Sequence, residues 1–125
     1  MYRVHKKWGV AKKTKINGVG YDSRFEARYA QELDLRQKAN DIKSWSAHEP
    51  MDLIVNGFKV AVYKIDFVIN HNDGTIEYVE CKGLPDPTWR LKWKIFEAMM
   101  SDDPNVTLTV VQQKSNWKIP KPKRL

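Results

Sequence analysis

The sequence predicts an α/β (α+β) domain in which a mixed sheet is covered by two helices, in the order α-β-β-β-α-β. Three observations carry this. Apolar residues recur at helical spacing in two segments, one opening at Ser23 and one running from about Thr88 to Met100. Between them lie stretches rich in β-branched and aromatic residues, separated by turn signals. A last alternating stretch, 106–112, follows the second helix, and such an order builds one layered unit.

The elements follow in turn. Residues 1–20 are basic, carry Gly9, Gly18 and Gly20, and read as an arm with one short strand near 14–19. Ser23-Arg24-Phe25-Glu26 has capping-box spacing, Phe25, Tyr29, Ala30 and Leu33 keep one helical stripe, and Asn40-Asp41 stops it. Residues 42–47 read as a short strand or an extended lead into Pro50. Asn56-Gly57, between 51–55 and 59–69, is a hairpin signal. Residues 75–82 form the next strand, and Gly83-Leu84-Pro85-Asp86-Pro87 breaks the chain. In the second helix, Trp89, Trp93, Phe96 and Met100 make the core stripe, with Leu91, Ile95 and Met99 beside it. Domain boundaries follow: a basic arm at 1–20, a body at 21–113 and a basic tail at 114–125.

The densest chemistry lies across one hairpin. With a three-residue loop Asn72-Asp73-Gly74, and Gly74 left-handed, the register centres on residue 73 and Asp66 faces Glu80. Lys82, two residues on, shares that face, while Cys81 points away. A two-residue Asp73-Gly74 turn would instead oppose Asp66 to Cys81 and separate the charges. Asp66 stands between Val62 and Val68, and Glu80 near Ile76 and Tyr78. Carboxylates in such company are costly unless paired or metal-bound. The bland reading is a solvated face with an ordinary cross-strand ion pair.

Charge is unevenly placed along the 125 residues, which net +7. Residues 1–21 hold six basic side chains and no acid, and residues 104–125 hold five and none. The remainder sets eleven basic residues against all fifteen acids, a net of −4. An acidic body between basic ends fits a nucleic-acid polyanion with negative charge kept for a cation; basic termini also simply aid solubility. No apolar run is long enough to span a bilayer, and no signal-peptide pattern opens the chain. A single cysteine, Cys81, excludes an internal disulfide and reads as a buried apolar residue in a reducing, cytoplasmic compartment. His5, His48 and His71 lack zinc spacing, and His48-Glu49-Pro50 reads as lying near the site entrance. No phosphate loop and no Ser/His/Asp arrangement is present.

Glu26 in the first helix, Asp66 on the second strand and Glu80-x-Lys82 on the third resemble the PD-(D/E)XK nuclease signature. The segments 21–33, Asp66-Phe67 and Val79-Glu80-Cys81-Lys82-Gly83 are similar to small phage-encoded members of that superfamily, a domain-of-unknown-function group linked to recombination or resolution. The resemblance covers roughly residues 14–112 and includes Leu91-Lys92-Trp93-Lys94. It departs where Ile65, not proline, precedes Asp66.

What the resemblance implies is a restriction-endonuclease-like fold and a metal-dependent endonuclease acting on branched or non-B DNA. Asp66 and Glu80 would hold Mg²⁺ or Mn²⁺, with the Cys81 carbonyl and Glu26 as further ligands, and Lys82 would position water or steady the phosphate. Glu26 has a second reading as the closing residue of the capping box. Lys12, Lys13, Lys15, Arg90, Lys92, Lys94, Lys118 and Lys121 would touch the DNA backbone, and a homodimer would cut two strands together. Trp8 and Trp117 could stack on unpaired bases, whereas Trp45 reads as core. Glu32, Glu77 and Glu97 read as solvated charges. The rivals are a non-catalytic nucleic-acid-binding module and an end-cutting subunit of a larger complex.

Overall fold

Phe67, Ile69, Val79 and Cys81 pack with the first helix (Arg24–Lys38), and Tyr78, Leu108 and Val110 pack with the second (Pro87–Met100). Neighbouring residues of one strand thus feed opposite layers, and the sheet lies between its two helices. The computed structural model describes residues 14–16, 19–21, 24–82, 86–112 and 121–125. Its elements are β1 (Thr14–Ile16), β2 (Val19–Tyr21), α1 (Arg24–Lys38), β3 (Ser44–Val55), β4 (Phe58–Asn70), β5 (Ile76–Lys82), α2 (Pro87–Met100) and β6 (Val106–Gln112). The main sheet runs β3-β4-β5-β6, antiparallel until β6 joins β5 in parallel across the α2 crossover. This is the expected mixed α/β arrangement. A separate two-stranded hairpin, β1 with β2, stands where one short strand was expected.

Local chemistry explains the boundaries. α1 ends in a Schellman motif: Asn40 is left-handed at φ 61°, its N–H donates to Gln37 and that of Asp41 donates to Arg36. Ser23, the expected cap at the other end, lies outside the described residues. α2 opens two residues earlier than expected. Asp86, not Thr88, is its N-cap, accepting the Trp89 N–H at 2.9 Å, and Pro87 fits the first turn because its missing N–H is an orphan there anyway.

Residues 42–47 and 51–55, read as separate segments flanking Pro50, are corrected to one strand with an irregular link from 42 to 43. Pro50 pairs with Lys64 inside β3. That is tolerated because β3 is the sheet edge, where a missing N–H breaks no second ladder. Asn56 and Gly57 both have positive φ, as a two-residue hairpin turn requires. No helix among the described residues is long and apolar enough to cross a membrane.

Candidate functional site

The register of β4 against β5 decides whether the charged residues meet. The pairs Phe67–Val79, Val68–Tyr78, Ile69–Glu77 and Asn70–Ile76 all centre on residue 73. The His71 N–H donates to Thr75, closing the loop Asn72-Asp73-Gly74 with Gly74 at φ 90°. Asp73 accepts both the N–H and the hydroxyl of Thr75, which hold its carboxyl below the ordinary range. The three-residue loop is therefore the one formed, and the next position in that register sets Asp66 level with Glu80.

There the ladder stops and a side chain takes over. The Cys81 N–H donates to Asp66 Oδ2 at 2.8 Å. On the other flank Ala47 pairs with Phe67 and Glu49 with Ile65, but His48, between them at φ 58°, makes no ladder pair with Asp66. The strand also changes company at this residue. Tyr63 and Ile65 pack in the α2 cluster, whereas Phe67 and Ile69 pack in the α1 cluster. Asp66 thus occupies the seam between the two cores, within reach of both helices' layers.

Three carboxyl groups meet at that seam. The Asp66 carboxyl lies close enough to those of Glu26 on α1 and Glu80 on β5 for both to shift its protonation. Glu26 and Glu80 are only 7% and 3% exposed, so the cluster is largely withdrawn from water. Burial first, and the Glu80 charge second, push the Asp66 carboxyl up to about 8. Burial likewise raises Glu80, opposed chiefly by the Lys82 ammonium. Buried carboxyl groups this close to one another resist ionising together.

Lys82 completes the group. Its Nζ lies 3.7 Å from Glu80 Oε2 and sits 5.0 Å above the centroid of the Trp89 ring. The other Glu80 oxygen, Oε1, accepts the Tyr63 hydroxyl at 2.5 Å, and the Trp89 indole N–H donates to that hydroxyl oxygen at 3.0 Å. Tyr63 and Trp89 are site residues that the sequence reading missed. Both sat on apolar stripes and looked like core, which they also are. The only advance signal was that a buried Tyr or Trp needs a polar partner.

A family model described as "Protein of unknown function (DUF1064)" matches residues 5–119. The chain belongs to the DUF1064 family. No curated protein and no solved structure matches this DUF1064 chain.

Of the residues that were read as a site, Glu26, Asp66, Glu80 and Lys82 come together in this DUF1064 chain. Glu26 is engaged with Asp66, while its capping alternative involves Ser23, outside the described residues. Cys81 is buried, its thiol pushed up by burial and then by Asp66, which suits an inert apolar residue. Lys12, Lys13, Lys118, Trp8 and Trp117 lie outside the described residues. Lys15 falls in β1. Arg90 and Lys121 are exposed, and Lys94 is half-buried. The Lys92 ammonium is committed to the Val62 carbonyl at 3.0 Å.

Trp45 packs edge-on to Phe67 and donates its indole N–H to Asp34, as a core residue with one polar handle. Glu77, read as solvated, is corrected: it is half-buried and accepts from Thr109 at 2.6 Å, with His71 2.8 Å away. Glu97 is corrected too, with Oε1 buried and no hydrogen-bond partner among the described residues. The packing of β6 and of the α2 flank, neither visible in a local pattern, drew both acids inward. A cleft of about 340 Å³ opens beside α1, lined by residues that include Phe25, Arg28 and Gln112, and contains none of the four converging residues.

Hard carboxylate oxygens are the donors that Mg²⁺ and Mn²⁺ prefer, and buried, charge-repelling acids gain most from a cation. By donor chemistry the seam fits such an ion. Among the described residues, however, no three acidic, histidine or cysteine groups stand ready as a metal cage. An ion entering the seam would have to displace the proton that the raised Asp66 carboxyl holds.

Proposed function

We propose that this chain is a divalent-metal-dependent endonuclease that hydrolyses phosphodiester bonds in branched or otherwise non-B DNA. The observation that carries this reading is the convergence of Glu26, Asp66 and Glu80, from three separate elements, with Lys82 at the edge of the acid group. Asp66 and Glu80 would hold Mg²⁺ or Mn²⁺, with Glu26 and the Cys81 carbonyl as the further donors. The bound ion would supply Lewis-acid stabilisation of phosphate charge and a water of lowered pKa.

The chain's own groups supply the rest. Tyr63 fixes one Glu80 oxygen, which leaves the other directed toward Lys82. The Lys82 ammonium, steadied over the Trp89 ring, is placed to meet negative charge on a phosphate oxygen. The buried seam keeps bulk water from screening that contact. Exposed Arg90 and the basic ends would grip the backbone without reading base sequence. Pairing of two chains would bring two such sites to one branched substrate.

A non-catalytic nucleic-acid-binding module is the second reading, favoured because no three acidic, histidine or cysteine groups among the described residues form a metal cage. Incubating supercoiled plasmid and a four-way junction with the protein in Mg²⁺, Mn²⁺ or EDTA separates the two. The nuclease reading expects nicking with metal, none with EDTA, and an Asp66→Ala variant that binds the junction in EDTA but does not cut. Binding without cleavage in either metal would leave the binding module standing.

A further inference from the structure

α1 lays one stripe of side chains along the cleft that it shares with β6. Phe25, Arg28, Tyr29 and Glu32 recur at intervals of three and four, which sets them on one helix face. Val111 and Gln112 line the cleft from β6, and its volume of about 340 Å³ is that of a small-ligand site.

The lining has two halves. Phe25, Tyr29 and Val111 are half-buried and pack on the same core cluster as Cys81, so their outer surfaces make an apolar bed that includes two rings. Arg28 and Glu32 are exposed. No ion pair among the described residues joins them, although residues four apart on a helix are neighbours. The Tyr29 hydroxyl makes no hydrogen bond among the described residues. Burial first, and the Glu77 charge second, push it up to about 12, so it stays a neutral donor. A planar ring carrying a phosphate matches this set. Aromatic side chains take the face of a base, a guanidinium takes the phosphate, and a carboxylate takes an exocyclic amine.

Position says which nucleotide would enter. Val111 pairs with Cys81 and Gln112 with Lys82, so the β6 wall lies one strand, about 5 Å, from two residues of the seam. Phe25 directly precedes Glu26 on the helix. A strand with its phosphate at the seam would therefore carry a neighbouring base to the cleft. A base inside a duplex is covered by its stacked neighbours, and only an unpaired or extruded one can lie there.

We propose that the α1–β6 cleft takes the base of an unpaired nucleotide beside the phosphate held at the seam. A branch with a single-stranded segment, such as a fork, is then preferred to a fully paired four-way junction. This inference rests on the reading of the chain as one that acts on branched DNA, and its test reads binding rather than cleavage.

The test is equilibrium binding of the full chain, in EDTA, to forked duplexes. Each of the first three unpaired nucleotides, on either strand, is replaced in turn by an abasic one. Wild type is expected to bind the intact fork about 10-fold more tightly than a four-way junction of the same strand lengths. It should lose about 10-fold in affinity at one abasic position. Tyr29→Leu, with its melting curve retained, should bind intact and abasic forks alike. Arg28→Ala, a change at an exposed position, should weaken both by the same factor. Indifference of wild type to every abasic position, preference for the paired junction, or full abasic discrimination by Tyr29→Leu would each overturn the cleft proposal and leave the DNA reading standing. A free deoxynucleoside monophosphate that binds as tightly as the fork would reassign the cleft to small nucleotides and overturn it too. Binding to no DNA at all would overturn both.

Discussion

Asp66 Oδ2 accepts the Cys81 N–H at the point where β4 and β5 stop pairing by backbone, so a carboxylate does the work of a ladder carbonyl. The same side chain lies close to Glu26 and Glu80. One residue therefore joins a sheet end, a helix and the acid cluster.

Stability of the metal-free protein should fall as pH rises. The folded Asp66 carboxyl titrates near 8, while an unfolded one titrates near about 4. Between those limits the folded state holds a proton that the unfolded state has released, so each step up in pH favours unfolding. The loss between pH 5 and 8 should be on the order of 3–4 kcal/mol by urea denaturation. Asp66→Asn should flatten the slope. A wild-type curve that rises over this window would contradict the assignment.

Tyr63→Phe deletes one hydroxyl and strands two groups, Glu80 Oε1 and the Trp89 indole N–H. The expected loss is on the order of 1–3 kcal/mol in denaturant melts, with the fold kept. Trp89→Phe in the Tyr63→Phe background should cost less than it does in wild type, because the hydrogen bond is already gone. Additive losses would show that the chain Trp89–Tyr63–Glu80 is not coupled.

Gly74→Ala tests the register. The glycine is at φ 90° and a Cβ there would meet nothing within 4 Å, so the cost is purely conformational, about 1 kcal/mol. Melting should show this modest loss with no change in the aromatic circular dichroism of the core. A near-zero effect would mean that the loop takes another conformation.

Lys82→Ala should reduce Mn²⁺-dependent cleavage on the order of 100–1000-fold while leaving junction binding nearly unchanged. Deleting residues 114–125, which carry five basic side chains, should weaken binding and lower the salt slope by up to about 4. A cleavage rate untouched by Lys82→Ala would remove that lysine from the chemistry. An unchanged salt slope would remove the tail from the interface.

Much of this was readable in advance, for local reasons. Gly74 and Asn56-Gly57 fix their loops through left-handed φ, and a loop of known length sets register by counting, which brought Asp66 level with Glu80. Asn40 marked the helix end for the same reason. What escaped notice depended on neighbours distant in sequence. Pro50 looked like a strand breaker because nothing local says that β3 is an edge. Asp86 outcompeted Thr88 as a cap because Pro87 already had the right φ for a first turn. Tyr63 and Trp89 looked wholly apolar in role, since their hydroxyl and indole N–H find partners only after β4, β5 and α2 assemble.

Calorimetric titration of Mn²⁺ into wild type and Asp66→Asn at pH 8 tests the central claim most directly. Wild type should bind one ion per chain with release of protons to the buffer, and Asp66→Asn should not bind. No heat of binding in wild type, or equal binding by the variant, would contradict it.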